Sequence, residues 1–358
     1  MSDEMLELFI KQHIAAQDVD DVIFAWQGGE PTLMGLAFYQ RAVELQQRYA
    51  AGKTIMNTFQ TNGILLDDAW ALFFKQHAFL VGISIDGDAA LHDEWRVTRS
   101  GHPTHAKVVN AIQCLVRHDV EFNTLTVVNS RNMHHPLQVY HYLKSIGSRY
   151  MQFIPLVERA SESDRLLQAS PLHRQTAMMP WSVDSLAFGH FLNVIFDEWI
   201  RQDIGEIGIQ IVEQTLGAWC GLPPQVCVFA PTCGSAFAME MNGDIYQCDH
   251  YVSPPYKLGN IQNTTLREIN DSEENGQFGE DKRRTLAQEC RSCQWLFACY
   301  GGCPKHRFLP ASSASAPQNY LCAGYKAFFA HTAPTMNAMK ILYENGLSPA
   351  EIKSLFVK

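Results

Sequence analysis

The 358 residues carry 28 Lys and Arg against 37 Asp and Glu, a net charge of −9, with 46% hydrophobic and 18% charged residues. That composition supports a large packed core and argues against global disorder, and the length predicts two domains or one large α/β barrel. No run of Lys and Arg marks a nucleic-acid surface, and no apolar run approaches the roughly 18 residues of a membrane span.

The chain opens on an acidic amphipathic helix over 3–16. It has no basic n-region and no cleavage site, so it does not read as a secretion signal. The expectation is a cytoplasmic protein with neither nucleic acid nor membrane as a partner. Five apolar runs then predict strands: DVIFAWQ from Asp21, TIMNTFQT from Thr54, FLVGISID from Phe79, EFNTLTVV from Glu121 and SRYMQFIP from Ser148. Their near-continuous apolar character predicts burial on both faces. Helical patterns lie between them, such as GLAFYQRAVELQQRYA and HAKVVNAIQCLVRH. Strand–helix alternation predicts a parallel sheet with right-handed crossovers, as an open doubly wound sheet or a barrel.

Polar residues gather where these strands end. Gln27-Gly28-Gly29-Glu30-Pro31 follows the first, Gln60-Thr61-Asn62-Gly63 the second, and Ser84, Asp86 and Gly87 the third. Parallel α/β folds bind ligands at the C-terminal ends of their strands. Glycines there let a ligand approach the backbone, and Glu30 suits a cationic ammonium. Ordinary βα turns have the same composition, but three in register point to a shared polar site. The polar stretch 158–180 reads as a long functional loop or lid. The run from Ser182 to Arg201 reads as an amphipathic helix that closes the barrel.

Ten cysteines in a cytoplasmic protein point to metal or redox chemistry rather than disulfides. Cys114 stands alone; the other nine lie between Cys220 and Cys322. From Cys227 the spacing is Cys227-x5-Cys233-x9-Gly243-x4-Cys248, then Cys290-x2-Cys293-x5-Cys299-x3-Cys303, then Cys322. Eight cysteines suffice for two four-thiolate clusters. One dense run of four, flanked by distant single cysteines and closed by Pro304, favours iron–sulfur over the paired spacing of structural zinc.

This pattern resembles the signature of SPASM domains, the auxiliary-cluster domains of peptide-modifying radical S-adenosylmethionine enzymes. The resemblance implies one auxiliary [4Fe-4S] cluster on Cys227, Cys233, Cys248 and Cys303, and a second on Cys290, Cys293, Cys299 and Cys322. Cys220 is left as a spare thiol or an alternative first ligand, and Cys114 reads as a buried core residue. QGGEP resembles the Gly-Gly-Glu-Pro motif that receives the methionyl amino group of the cofactor. QTNG and SIDG resemble the next two strand ends, and HDEWR the His-Asp-x-x-Arg stretch of the family. QFIPLVER and CDHYV, with LGNI soon after, are similar to anaerobic sulfatase-maturating enzymes.

That resemblance implies oxidation of a Cys or Ser of a sulfatase to formylglycine. It places Gln27, Gly28, Gly29 and Glu30 against S-adenosylmethionine, with Ser84 and Asp86 in the next layer and Asn62 and Arg96 as further candidates. It makes Asp249 the base that takes the target side chain's proton. The implied partners are an unfolded sulfatase peptide and a reducing donor such as flavodoxin or ferredoxin.

The sequence departs from the family in one respect. Only 27 residues precede Gly28, and none is a cysteine, so the C-x3-C-x2-C motif of the cofactor-cleaving third cluster is absent. The expectation is a truncated enzyme that does not cleave the cofactor. Its fold class is α/β. Residues 1–205 form a partial (β/α)6 radical-SAM barrel lacking its first strand, so that the five runs are strands two to six. Residues 206–358 form the SPASM iron–sulfur domain with C-terminal helices. Other readings are a different SPASM peptide-modifying enzyme, a non-catalytic iron–sulfur protein for electron transfer or peptide binding, and a zinc-stabilised domain.

Overall fold

A computed structural model describes residues 1–159, 178–310 and 316–355; of the loop expected over 158–180, residues 160–177 lie outside them. The first elements in chain order are α1 (Asp3–Ala16), β1 (Asp21–Trp26), α2 (Leu36–Tyr49), β2 (Thr54–Thr61), α3 (Asp68–Gln76) and β3 (Leu80–Ser84). There follow α4 (Ala89–His92), α5 (His105–Arg117), β4 (Phe122–Val128), α6 (Pro136–Ser145), β5 (Tyr150–Pro155), α7 (Ser185–Gln202), β6 (Gly208–Ile209) and α8 (Gln210–Trp219). The cysteine-rich part adds β7 (Ala238–Met239), β8 (Asp244–Tyr246), β9 (Lys257–Asn260), α9 (Leu266–Asn270), α10 (Glu273–Arg284), α11 (Gln288–Arg291) and α12 (Leu296–Cys299). It ends with β10 (Arg307–Leu309), β11 (Gln318–Asn319) and α13 (Cys322–Glu344).

Strands β1 to β6 make a six-stranded sheet in sequential order. The pairs β1/β2, β2/β3, β4/β5 and β5/β6 are parallel. The five strands expected from the apolar runs are present. The sixth, Gly208–Ile209, is only two residues long, too short for any periodicity to show. Among the described residues, no helix is long and apolar enough to cross a membrane.

Two compact units emerge, each discontinuous in sequence. One comprises residues 1–84, 106–122 and 233–281; the other comprises 85–105, 123–232 and 282–358.

In the first unit, α1 starts at Ser2, whose hydroxyl accepts the Met5 N–H at 3.2 Å. Leu6, Ile10 and Ile14, four residues apart, form one apolar stripe. They pack with Val22 and Phe24 of β1 and Ala42 and Leu45 of α2. Met5 leaves that stripe and enters a second core with Ile245, Ile261, Leu266 and Ile269. Gln12 fastens the same junction: its amide donates to Ile261 O at 2.9 Å and accepts from Leu266 N at 2.9 Å. The antiparallel strands β7, β8 and β9 thus share α1 with the parallel strands. Gly243, the glycine of the cysteine motif, turns the chain into β8 with φ +86°, and a Cβ there would lie 2.9 Å from the Met5 sulfur. The turn requires glycine, and any larger residue would also push the Met5 side chain aside.

Strand β1 differs from the sequence expectation. It is buried only at alternate residues, with Asp21, Ile23 and Ala25 exposed and Ile23 53% accessible. One face is covered by α1 and α2, so its apolar run is not buried on both sides.

In the second unit, α7 is capped by Asp184, whose carboxylate accepts the Ala187 N–H. It packs on α13 through Gly189 and Gly324, where a Cβ on Gly324 would sit 2.0 Å from Ser185 O. The backbones touch, and α13 begins at Cys322. The helix therefore carries a cysteine at its first turn and is anchored two residues later.

Candidate functional site

The turn after β1 is built around Glu30. Its Oε1 accepts from the Thr32 N–H at 3.0 Å, the Thr32 hydroxyl at 2.6 Å and the Thr61 hydroxyl at 2.7 Å, and its Oε2 accepts from the Asn62 N–H at 2.8 Å. One carboxylate thus ties the ends of β1 and β2 together. Gly28 and Gly29 have φ of +91° and +54°, and the space their Cβ atoms would occupy is open. Conformation, not packing, demands glycine there, and the bare backbone faces free space beside exposed Gln27. Asn62 uses its side-chain oxygen on the Ile64 N–H at 2.9 Å, an Asx-type turn. Ser84 is half-buried at the end of β3.

Asp86 and Arg96, two candidates from the sequence, are partners of each other. Arg96 Nε meets Asp86 Oδ2 at 2.6 Å, and Asp86 Oδ1 accepts the Val127 N–H at 2.8 Å. The carboxylate is buried while the guanidinium is 25% exposed, so Asp86 orients an arginine that still reaches outward. His92 supports the same corner: its Nδ1 accepts the Asp86 N–H at 3.3 Å and its Nε2 lies 3.1 Å from the Thr104 hydroxyl. The Thr104 hydroxyl donates to Arg96 O at 2.6 Å, which makes His92 Nε2 the donor. Burial, with the Arg96 charge behind it, drops the His92 pKa to about 3.

Four of the expected cysteines line one cavity. Cys290, Cys293, Cys299 and Cys322 line a small pocket open to solvent together with Trp295, Tyr325, Lys326 and Phe329. They come from α11, the turn after it, the end of α12 and the start of α13. The connection from Cys299 to Cys303 holds three consecutive left-handed residues, Tyr300, Gly301 and Gly302, with φ of 46°, 73° and 61°. A Cβ on Gly302 would lie 2.5 Å from the Asn319 amide nitrogen. That amide donates to Gly301 O at 3.1 Å and Cys303 O at 3.3 Å, and the Asn319 Oδ1 accepts the Leu321 N–H at 2.8 Å. Asn319 therefore joins the Cys303 loop to the start of α13.

The other four expected cysteines divide between the units. In the first, the Cys233 N–H donates to Gly279 O at 3.1 Å, and the Cys248 thiol lies 3.1 Å from Oδ1 of exposed Asp249. In the second, Cys227 opens a 3₁₀ turn and Cys303 is buried before another. Cys220 is half-buried at the end of α8. Cys114 is buried, as expected, and bonded: its thiol and His118 Nε2 both meet Asp68 Oδ1, at 3.0 and 2.8 Å. The Arg117 guanidinium meets the same oxygen at 2.9 Å, so this trio is an occupied hydrogen-bond knot and not a metal cradle.

Comparison with known proteins decides the family. A family model for SPASM, an iron–sulfur cluster-binding domain, matches residues 227–294. The chain is 45% identical over 354 residues to the serine-type anaerobic sulfatase-maturating enzyme of Bacteroides thetaiotaomicron, covering 98% of this chain and 86% of that one. The chain belongs to the anaerobic sulfatase-maturating enzymes. The cysteine-type enzyme of Clostridium perfringens is 32% identical, covering 94% of this chain and 88% of its own. A solved structure of native anSMEcpe with bound AdoMet and Cp18Cys peptide superposes with a TM-score of 0.85 at 32% identity, over 95% of this chain and 91% of that one. Streptococcus suis SuiB bound to precursor peptide SuiA, at 14% identity and a TM-score of 0.58, shares the fold.

The residues of this sulfatase-maturase chain fit an iron–sulfur group. Burial pushes the Cys299 thiol up to about 12 and raises those of Cys290 and Cys322, with neighbouring cysteines adding to each. Such crowded thiols ionise together only around a cation that compensates them. Four thiols alone suit zinc as well as iron; the iron–sulfur family model separates the two. Sequence reading missed Asn319, Lys326 and the aromatic wall of Trp295, Tyr325 and Phe329. The one signal for Asn319 was the Gly301-Gly302 pair, which marks a loop too tight for side chains.

Proposed function

We propose that the protein takes part in the oxidation of a Cys or Ser side chain of an unfolded sulfatase peptide to formylglycine. The observation that carries this reading is the 45% identity across 98% of the chain to a serine-type maturase. It is supported by the likeness to a relative with AdoMet and peptide bound. The domain division that suits this role is a partial barrel over 1–205 and an auxiliary-cluster domain over 206–358.

Gln27, Gly28, Gly29 and Glu30 would hold the amino-acid end of S-adenosylmethionine, with Asn62, Ser84, Asp86 and Arg96 around it. Glu30, fixed by four hydrogen bonds, offers a carboxylate to the ammonium, and Arg96, braced by Asp86, offers a guanidinium to a carboxylate. Cys227, Cys233, Cys248 and Cys303 would bind one auxiliary [4Fe-4S] cluster, and Cys290, Cys293, Cys299 and Cys322 the other. When bound and oxidised, these clusters would supply a one-electron acceptor for the electron that the target residue gives up. Asp249 would act as general base. Its carboxylate is exposed, and its neighbour Cys248 fixes the backbone beside it, so it can take the proton of the target hydroxyl or thiol. A reducing cytoplasm and a flavodoxin- or ferredoxin-type donor suit this chemistry.

None of the ten cysteines forms a C-x3-C-x2-C set. We infer that these residues bind cofactor and peptide, and that cleavage of the cofactor needs a C-x3-C-x2-C set that they do not include. The test is anaerobic incubation with AdoMet, dithionite and an unfolded Ser or Cys peptide, scored by mass for the aldehyde. The same assay is run on a chain extended with the missing motif. Aldehyde from the extended chain only is expected. Aldehyde from residues 1–358 alone would overturn the need for that set, and none from the extended chain would overturn the function.

A further inference from the structure

Asn319 is 2% exposed, and both ends of its amide are spent between two cysteine segments. Its Nδ2 donates to Gly301 O at 3.1 Å and Cys303 O at 3.3 Å, and its Oδ1 accepts the Leu321 N–H at 2.8 Å. Leu321 is the residue before Cys322, where α13 begins. One planar amide thus runs from the carbonyl of Cys303 to the backbone beside Cys322. The seat is shaped for it: Gly302 has φ +61°, and a Cβ there would lie 2.5 Å from the Asn319 Nδ2. The Asn319 backbone is held separately. It pairs with Arg307 across the β10/β11 ladder, and the Tyr320 N–H donates to His306 O at 2.7 Å. The side-chain amide is therefore added to a fastening that the backbone already supplies.

Under the cluster assignment, the two cysteines it links serve different groups. Cys303 belongs with Cys227, Cys233 and Cys248, the first cluster. Cys322 lines the pocket with Cys290, Cys293 and Cys299, the second. The connection from Cys299 to Cys303 passes through left-handed Tyr300, Gly301 and Gly302, and a tyrosine keeps that conformation only where its surroundings fix it. A buried amide satisfied at both ends has one good arrangement. A shift of either segment leaves the other with an unpaired buried group.

We propose that Asn319 couples the filling of the two auxiliary clusters. A cluster seated on Cys303 fixes the amide, and the amide fixes the first turn of α13 and, with it, Cys322 for the other cluster. The proposal rests on the cluster assignment made above. Asn319 is a positioning residue that acts through the backbone of Cys303 and Leu321.

The test reconstitutes the full chain anaerobically with half the iron and sulfide that saturates it, and counts empty, half-filled and filled chains by native mass spectrometry. Asn319→Asp keeps the oxygen that accepts from Leu321 and loses the NH₂ that donates to Cys303 O, so it cuts the link at one end. At equal total iron, its half-filled fraction is expected to be at least about twofold larger than that of the parent, the square root of a roughly fivefold coupling between sites. General loosening of the fold lowers both affinities and leaves that fraction unchanged. The second measurement puts the same substitution into a Cys233→Ala chain, which keeps a full ligand set for the second cluster only. Its about four irons should resist an iron chelator as well as those of Cys233→Ala alone. An equal half-filled fraction in parent and Asn319→Asp would overturn the coupling. So would easier iron loss from the double variant, which would make Asn319 a support of the second cluster alone. If Asn319→Asp does not fold, Gly302→Ala, which pushes the same amide aside, takes its place with the same expectations. Parent protein that holds no iron would overturn the cluster assignment, and the coupling with it.

Discussion

Replacing Gly324 by alanine tests how α13 delivers Cys322 to its cavity. A Cβ at this position would lie 2.0 Å from Ser185 O, 3.1 Å from Ser185 C and 3.2 Å from Gly189 N, all backbone atoms of α7 or its N-terminal turn. A carbon next to a carbonyl oxygen needs about 3.3 Å, so the helices must part by about 1 Å. No side chain can swing away to relieve the contact. Overpacking of this kind costs roughly 1–3 kcal/mol. The Gly324 N–H bond to the Ser185 hydroxyl, 3.1 Å long, would go with it, adding about 1 kcal/mol. Parting the helices also loosens Phe188 from Tyr325, whose rings meet edge to face at 6.2 Å. The expected loss is about 2–4 kcal/mol, a large part of a typical folding free energy. Urea denaturation followed by circular dichroism measures it, and iron content after reconstitution should fall too, because Cys322 lies two residues away. A Gly324→Ala protein within about 0.5 kcal/mol of the parent, with full iron, would refute the backbone contact.

Two further outcomes follow from the first turns. His92 is neutral in the fold with a pKa of about 3, whereas an unfolded histidine titrates near 6.5. The unfolded state therefore binds more protons below about pH 6.5, and stability falls as pH drops from there toward 3. From pH 7.5 to 5 this one group should remove about 2 kcal/mol, and His92→Gln should flatten that part of the urea-midpoint profile. Parallel profiles for the two proteins would contradict the buried neutral imidazole. Glu30→Gln should weaken AdoMet binding at least about tenfold, or about 1.4 kcal/mol, because an amide NH₂ replaces one of two oxygens that accept four donors. Equilibrium dialysis with equal affinities would remove Glu30 from the site.

Much of this molecule is legible without coordinates because its information is local. An apolar run bounded by helical periodicity has to be a strand between helices, and β1 to β5 lie where the runs lie. Cysteine spacing is likewise a local constraint, and it favours an iron–sulfur module over zinc before any geometry is known. The polar strand ends are visible for the same reason: glycine and asparagine mark left-handed turns wherever they occur.

Contacts between distant segments left no periodic trace. Nothing in DEMLELFIKQHIAA says that Met5 packs with Ile245 and Ile261 while Leu6 packs with Val22. The sequence reads as two consecutive halves, yet residues 233–281 join 1–84 in one compact unit. Asp86 and Arg96 read as separate ligand candidates until their 2.6 Å contact makes one the brace of the other. Gly189 and Gly324 look like helix-weakening residues, and only the touching backbones give them a purpose. Asn319 looks like an ordinary turn residue by composition, yet the fold buries it between the Cys303 loop and α13. Chain chemistry determined which elements form and which metal chemistry the cysteines support. Tertiary packing alone decided which groups are desolvated and paired, because burial depends on neighbours that lie far away along the chain.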